Sequence, residues 1–199
     1  IQEAYLYPGR KFLYISLHKD SAENAIWDII QEELERQGLK AKQDYTYNKN
    51  QKTIHLRNKS TIRFHGLDAS YKEMEKFRGG KYHLCVVDEC QSVNQDLRQL
   101  IESILEHAVN DLRNDGGGIL CLAGTPGTRL GENYWYQLTK QIDGTNTPHP
   151  DRLKGWSVHE WSAPENPFYA EQFAALCQDK FNAYGPSYLD EPSFRREQY

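Results

Sequence analysis

The run Leu84-Cys85-Val86-Val87-Asp88-Glu89 joins a short apolar strand to two adjacent carboxylates. A strand buried on both faces that delivers two acids to its carboxyl end can serve the hydrolysis of a nucleoside triphosphate. One acid, here Asp88, would sit in a Mg²⁺ shell. The other, Glu89, would orient or deprotonate the attacking water. The bland reading of the same residues is a solvated strand end or a cap for the next helix. A second apolar strand ends in Ala123-Gly124-Thr125-Pro126-Gly127. Two strands that both finish in polar turns suggest a ligand crevice along the carboxyl ends of one sheet.

A second candidate surface is basic. From Lys40 to Arg63 there are seven Lys/Arg (Lys40, Lys42, Lys49, Lys52, Arg57, Lys59, Arg63) against one acid, Asp44, with Tyr45, Tyr47 and Phe64 interleaved. Such a segment can track phosphates, and Lys49, Lys52, Arg57, Lys59 and Arg63 are its candidate DNA contacts. The competing reading is a solvated hairpin whose lysines discourage edge pairing. Arg78, on the glycine-flanked loop Phe77-Arg78-Gly79-Gly80, is a further candidate for reaching phosphate or DNA.

The elements that must position these residues follow from periodicity. Lys11 to Leu17 reads as a central parallel strand, because Phe12-Leu13-Tyr14-Ile15 is too apolar to be half exposed. A helix follows, capped by Asp20 or Ser21 with Glu23 in a capping box, buried through Ala22, Ala25, Ile26, Ile29, Ile30 and Leu34, and stopped at Gly38. Residues 52–57 and 61–66 form a hairpin with Ile54, Leu56, Ile62 and Phe64 on one face. A short helix is expected over 70–77 and a long one from Ser92 to about Leu112. Further helices are expected over 134–142 and 167–183, the last facing inward through Phe168, Phe173, Leu176 and Phe181. A final strand is expected from Trp156 to Trp161. The alternation of strand and helix predicts an α/β fold, a parallel sheet with helices on both faces, plus the hairpin.

Composition narrows the class. The 199 residues are 38% hydrophobic and 26% charged, with a formal net charge of −4. That describes one ordinary globular domain and excludes a surface that is basic all over. No apolar run is long enough to span a bilayer, and without a basic stretch followed by an apolar one at its start the sequence is expected to carry no secretory signal. The four cysteines contain no C-x-x-C and read as small buried hydrophobes of a reducing cytoplasm. The seven histidines form no metal-ligand set.

The order of these motifs resembles the ATPase domain of a tailed-phage terminase large subunit, the motor that pumps DNA into the procapsid. The resemblance runs from about Tyr5 to the end. It is carried by Ser60-Thr61-Ile62-Arg63-Phe64-His65-Gly66-Leu67-Asp68, then Phe77-Arg78-Gly79, then Val86-Val87-Asp88-Glu89, then Leu122-Ala123-Gly124-Thr125-Pro126. The resemblance implies a P-loop NTPase fold using ATP and Mg²⁺, with Asp88 in the metal shell and Glu89 as the catalytic carboxylate. Gly124 and Thr125 would match the coupling motif that passes hydrolysis to DNA movement. It also implies double-stranded DNA, a portal protein and a small terminase subunit as partners, a homo-oligomeric ring, no membrane, and action in the host cytoplasm on a docked procapsid.

No G-x-x-x-x-G-K-[ST] occurs in the sequence. In the family the phosphate loop precedes the point where this chain begins at Ile1, and residues 1–7 look like the end of its helix. We therefore expect residues 1–190 to be a partial ATPase domain that hydrolyses ATP only in the intact protein. Residues 191–199, with Pro192-Ser193-Phe194-Arg195-Arg196-Glu197, would begin a linker to a nuclease domain. Another P-loop nucleic-acid motor, such as a helicase, and a non-catalytic DNA-binding module are the alternatives.

Overall fold

The computed structural model describes residues 1–67, 74–93, 97–110, 118–125, 134–139, 156–159, 165–167 and 170–190. They fall into two units, Ile1–Gly124 and Thr125–Tyr199. The first is built on a six-stranded sheet: β1 (Lys11–Ser16), β2 (Tyr45–Asn48), β3 (Thr53–Leu56), β4 (Thr61–Gly66), β5 (Leu84–Val87) and β6 (Ile119–Leu122), in the order β2-β3-β4-β1-β5-β6. β4, β1, β5 and β6 are parallel neighbours, whereas β2 and β3 add an antiparallel meander at one edge. This is the expected α/β sheet.

The apolar run Phe12-Leu13-Tyr14-Ile15 becomes the central strand β1, flanked by β4 and β5, because only a strand covered on both faces can bury consecutive large side chains. A short helix, α1 (Gln2–Leu6), precedes it, and α2 (Lys19–Arg36) follows. Ala22, Ile30 and Leu34 of α2 bury with Phe12, Ile54, Leu56, Ile62 and Phe64 in one core, with Ile26 packed against it. The right-handed rule for parallel crossovers then fixes the rest. β1 leads by way of α2 to β4 on one side, while β5 leads to β6 on the other, so their connecting helices cover opposite faces.

Several elements depart from expectation. β2 is an additional strand, formed by Tyr45-Thr46-Tyr47-Asn48 pairing with β3. α2 begins at Lys19 with His18 at its N-cap and no side-chain cap bond, so the expected cap at Asp20 or Ser21 is displaced; the Ala22 N–H bonds the His18 carbonyl instead. Ile29 is exposed, because it lies off the i, i+4 ridge of Ala22, Ile26, Ile30 and Leu34. Gly38, at φ +75, ends the segment as expected.

The long helix after β5 is broken up. Cys90–Ser92 is a 3₁₀ turn, then α3 (Leu97–Leu100), a π turn (Ile101–Leu105) and α4 (Glu106–Asn110) run on. Before β6, Gly118 has no room for a side chain: a Cβ there would lie 2.3 Å from the Tyr82 carbonyl and 2.8 Å from Val109 Cβ.

The second unit contains α5 (Tyr134–Thr139) and α6 (Ala170–Tyr184), followed by a 3₁₀ segment, Pro186–Asp190. Phe173 faces inward as expected, but Phe181 is exposed. The strand expected from Trp156 is not formed over 156–159, which are irregular; apolar residues alone supply no hydrogen-bonding neighbour. The expectations for the Ala25 side chain, for Phe168, for most of the 70–77 helix, for the end of the long helix and for the linker over 191–199 lie outside the described residues.

Phe64→Ala tests the shared core. Phe64 is fully buried beneath α2, so its truncation should lower stability by about 3–5 kcal/mol in urea unfolding.

Candidate active site

The direction in which strands are added to the sheet reverses between β1 and β5, since β1 connects to β4 on one side and β5 to β6 on the other. The carboxyl ends of two strands that part in this way leave a crevice where parallel α/β sheets bind ligands. Asp88 stands at that point. Its N–H continues the ladder by donating to the Ile15 carbonyl, 2.8 Å.

Strand alternation aims its side chain. Leu84, Val86 and Asp88 share a face with Phe12 and Tyr14, which lie opposite Leu84 and Val86 in the register. The Tyr14 hydroxyl donates to Asp88 Oδ2 at 2.5 Å, and the Glu89 N–H donates to Oδ1 at 2.9 Å. Burial, reinforced by the bond to Asp88, pushes the Tyr14 phenol above its ordinary value of 10.0. It therefore stays a donor. Each Asp88 oxygen keeps lone pairs for a hard cation.

Glu89 leaves the strand in a left-handed conformation, φ 58 and ψ 36. A non-glycine residue there costs roughly 1 kcal/mol, and such outliers gather at functional sites. The left-handed step precedes the 3₁₀ turn Cys90–Ser92 and leaves Glu89 exposed, with Gln91 Nε2 donating to its Oε2 at 2.5 Å. The Cys90 N–H donates to the Ala123 carbonyl at 3.0 Å, which anchors the acid turn to the end of β6. Burial pushes the Cys90 thiol up to about 12, so it is an inert packing group.

Of the remaining candidates, Gly124 is the exposed residue just after Ala123. Thr125 opens the second unit, where its carbonyl accepts from Trp135 Nε1 at 3.2 Å. Arg78 is held at the midpoint of the helix after β5: its Nε donates to the Ser103 carbonyl at 2.9 Å, and its guanidinium lies 3.6 Å from Glu75. Arg63 is half-buried, with its guanidinium 5.2 Å from the Phe77 ring centre. Lys52 is ion-paired with Glu23, which also accepts from the Tyr47 hydroxyl. Lys49, Arg57 and Lys59 are exposed. Among the described residues no three acids, histidines or cysteines converge as a metal cluster, and no helix is long and apolar enough to cross a membrane.

Solved structures supply the comparison. The chain is similar to the ATPase domain of the Thermus phage P74-26 large terminase, with a TM-score of 0.63 and 16% identity, covering 98% of this chain and 78% of that one. The fold is that of a large-terminase ATPase domain. A mutant of the same Thermus phage domain gives a TM-score of 0.60 at 16% identity over the same shares of the two chains. The HK97 bacteriophage large terminase matches at a TM-score of 0.54 and 11% identity, over 95% of this chain and 39% of that one. No family model and no curated protein matches the sequence. Within this terminase-type fold, Tyr14 is the site residue that sequence reasoning missed. Its signal was a hydroxyl inside the apolar run Phe12-Leu13-Tyr14-Ile15 of the central strand.

Tyr14→Phe should cost about 1.5 kcal/mol, the loss of a hydrogen bond to a charged acceptor. Because the phenol is raised in the folded state, its contribution is complete below pH 10 and is lost as pH climbs further. Unfolding followed from pH 8 to 11 should show a shallower alkaline decline in the variant.

Proposed function

We propose that this chain is the ATP-hydrolysing motor domain of a viral terminase large subunit, driving double-stranded DNA into procapsids. The observation that carries the proposal is the placement of Asp88 and Glu89 at the switch point of a terminase-type sheet. An acid pair there has the chemistry that phosphoanhydride hydrolysis needs.

The donor set fits Mg²⁺. That ion takes one or two protein carboxylates and completes its shell with water and phosphate oxygens, so a single half-exposed aspartate held in place by Tyr14 suffices. Bound Mg²⁺ would supply charge neutralisation for the ATP phosphates. Asp88 would hold it. Glu89 would accept a proton from the attacking water, and Gln91 keeps its carboxylate oriented. Gly124 and Thr125, following Ala123, would pass hydrolysis on to DNA movement. Arg78 would need to leave Ser103 and Glu75 before it could reach phosphate. By the same reading the partners are double-stranded DNA, a portal protein and a small terminase subunit, in a homo-oligomeric ring in the host cytoplasm.

In the intact protein, Glu89→Gln should leave nucleotide binding nearly unchanged and lower turnover by at least ~10²-fold; unaltered turnover removes Glu89 from this role. Thr125→Ala is expected to reduce DNA translocation more than ATP hydrolysis, read by parallel packaging and phosphate-release assays. Equal losses would speak against coupling through Thr125.

A further inference from the structure

The basic segment that looks continuous in sequence is divided by the sheet. Thr53 pairs with Arg63 and His55 with Thr61, so β3 runs against β4. The turn carrying Lys49 and Lys52 therefore lies at the carboxyl ends of the parallel strands, with the acid pair. The turn carrying Arg57 and Lys59 lies at their amino ends.

Other cations converge on that second end. Lys42 enters there, because its N–H bonds the Tyr45 carbonyl and Tyr45 pairs with Leu56. Lys11 starts β1, and its Nζ approaches the Gly80 carbonyl at 3.4 Å. Lys81 follows Gly80 and precedes the start of β5. From β2 to β5 the rim crosses four interstrand steps of about 4.8 Å, roughly 19 Å in all.

Lys11, Lys42, Arg57, Lys59 and Lys81 are all exposed. None of them forms an ion pair among the described residues. Two nearby acids are already engaged: Glu3 pairs with Arg10 at 2.7 Å, and Asp44 accepts the Lys40 backbone N–H.

The backbone adds a second observation. Lys42, Lys59 and Lys81 have φ of 66, 71 and 53, left-handed positions that glycine or asparagine fill with less strain. Among the described residues there is a fourth such lysine, Lys52, whose charge is used inside the fold by Glu23. The three at the rim have no such internal use, and a charge required from outside explains them.

We infer that the amino-terminal rim of the sheet, through Lys42, Arg57, Lys59, Lys11 and Lys81, binds the phosphate backbone of duplex DNA, at the end of the sheet opposite the acid pair. A rim of this length spans between about five and six phosphate spacings of one strand, at about 3.4 Å each along the duplex axis. The inference rests on the proposed DNA motor only for the choice of polymer.

The test is fluorescence anisotropy of a labelled 30-base-pair duplex of arbitrary sequence, titrated with this chain across a salt series without nucleotide. Lys42→Asn, Lys59→Asn and Lys81→Asn are combined, since asparagine tolerates the left-handed backbone and spares the fold. The slope of log affinity against log salt should shrink by about 2.7, three contacts at 0.9 each, with about a tenfold or greater loss of affinity. Lys49→Ala, the candidate contact at the other end of the sheet, measures the alternative placement of the duplex and should cost less than the triple variant. The inference is overturned if the triple variant keeps its slope and affinity, if Lys49→Ala causes the larger loss, or if the unaltered chain does not bind the duplex. Tighter binding to polyglutamate than to the duplex would assign the rim to an acidic protein and overturn it too. Because no nucleotide is used, these outcomes are independent of whether Glu89 supports hydrolysis.

Discussion

The pairing of β5 with β1 is the constraint on which the carboxyl end of the sheet depends. It places Val87 beside Ile15, extends the ladder by one bond to the Asp88 N–H, and brings the Tyr14 hydroxyl to the Asp88 carboxylate. Tyr14 has two attachments: its ring packs against the core beneath α2, and its hydroxyl holds the acid. Core packing and acid geometry are thus carried by one side chain. A shift in strand register of one residue would turn Asp88 to the opposite face and separate the pair.

The division of the molecule into two chemically different ends follows from the same sheet. Parallel strands all end on one side, so polar exits such as Asp88-Glu89 and Ala123-Gly124 collect there. The strand starts collect on the other side, where Lys11 and the turns carrying Arg57, Lys59 and Lys81 lie. In the proposed motor, hydrolysis and DNA grip would occupy opposite ends of one rigid layer. β1, which joins Lys11 to Tyr14, would be the shortest covalent path between them.

The features legible in sequence were those governed by local periodicity or by burial on both faces. β1 and β5 announced themselves as apolar runs, and the ridge of α2 as an i, i+4 pattern from which Ile29 departs; β6 was an equally apolar run, but as the edge strand of the sheet it leaves Ile119 and Cys121 exposed. What was not legible required knowing a neighbour. Tyr45–Asn48 is a strand because β3 offers it an edge, whereas 156–159, with Trp156 and Val158, are irregular. The π turn at Ile101–Leu105 has no signature in the 3.6 period, and the helix begins at Lys19 without the side-chain cap that Asp20 or Ser21 advertised. Of the site, the two acids were readable from spacing alone, but the Tyr14 contact was not. Likewise, the division of the basic segment depends on β3 running antiparallel to β4 and could be seen only once the register was known.

The left-handed backbone at Glu89 sets stability against chemistry. Glycine or asparagine would relax that peptide, and neither carries a carboxylate. Laboratory evolution that rewarded only heat resistance would drift toward those replacements and yield a sturdier but silent protein. Persistence of glutamate in such a lineage would therefore require a second selection, one that rewards work done.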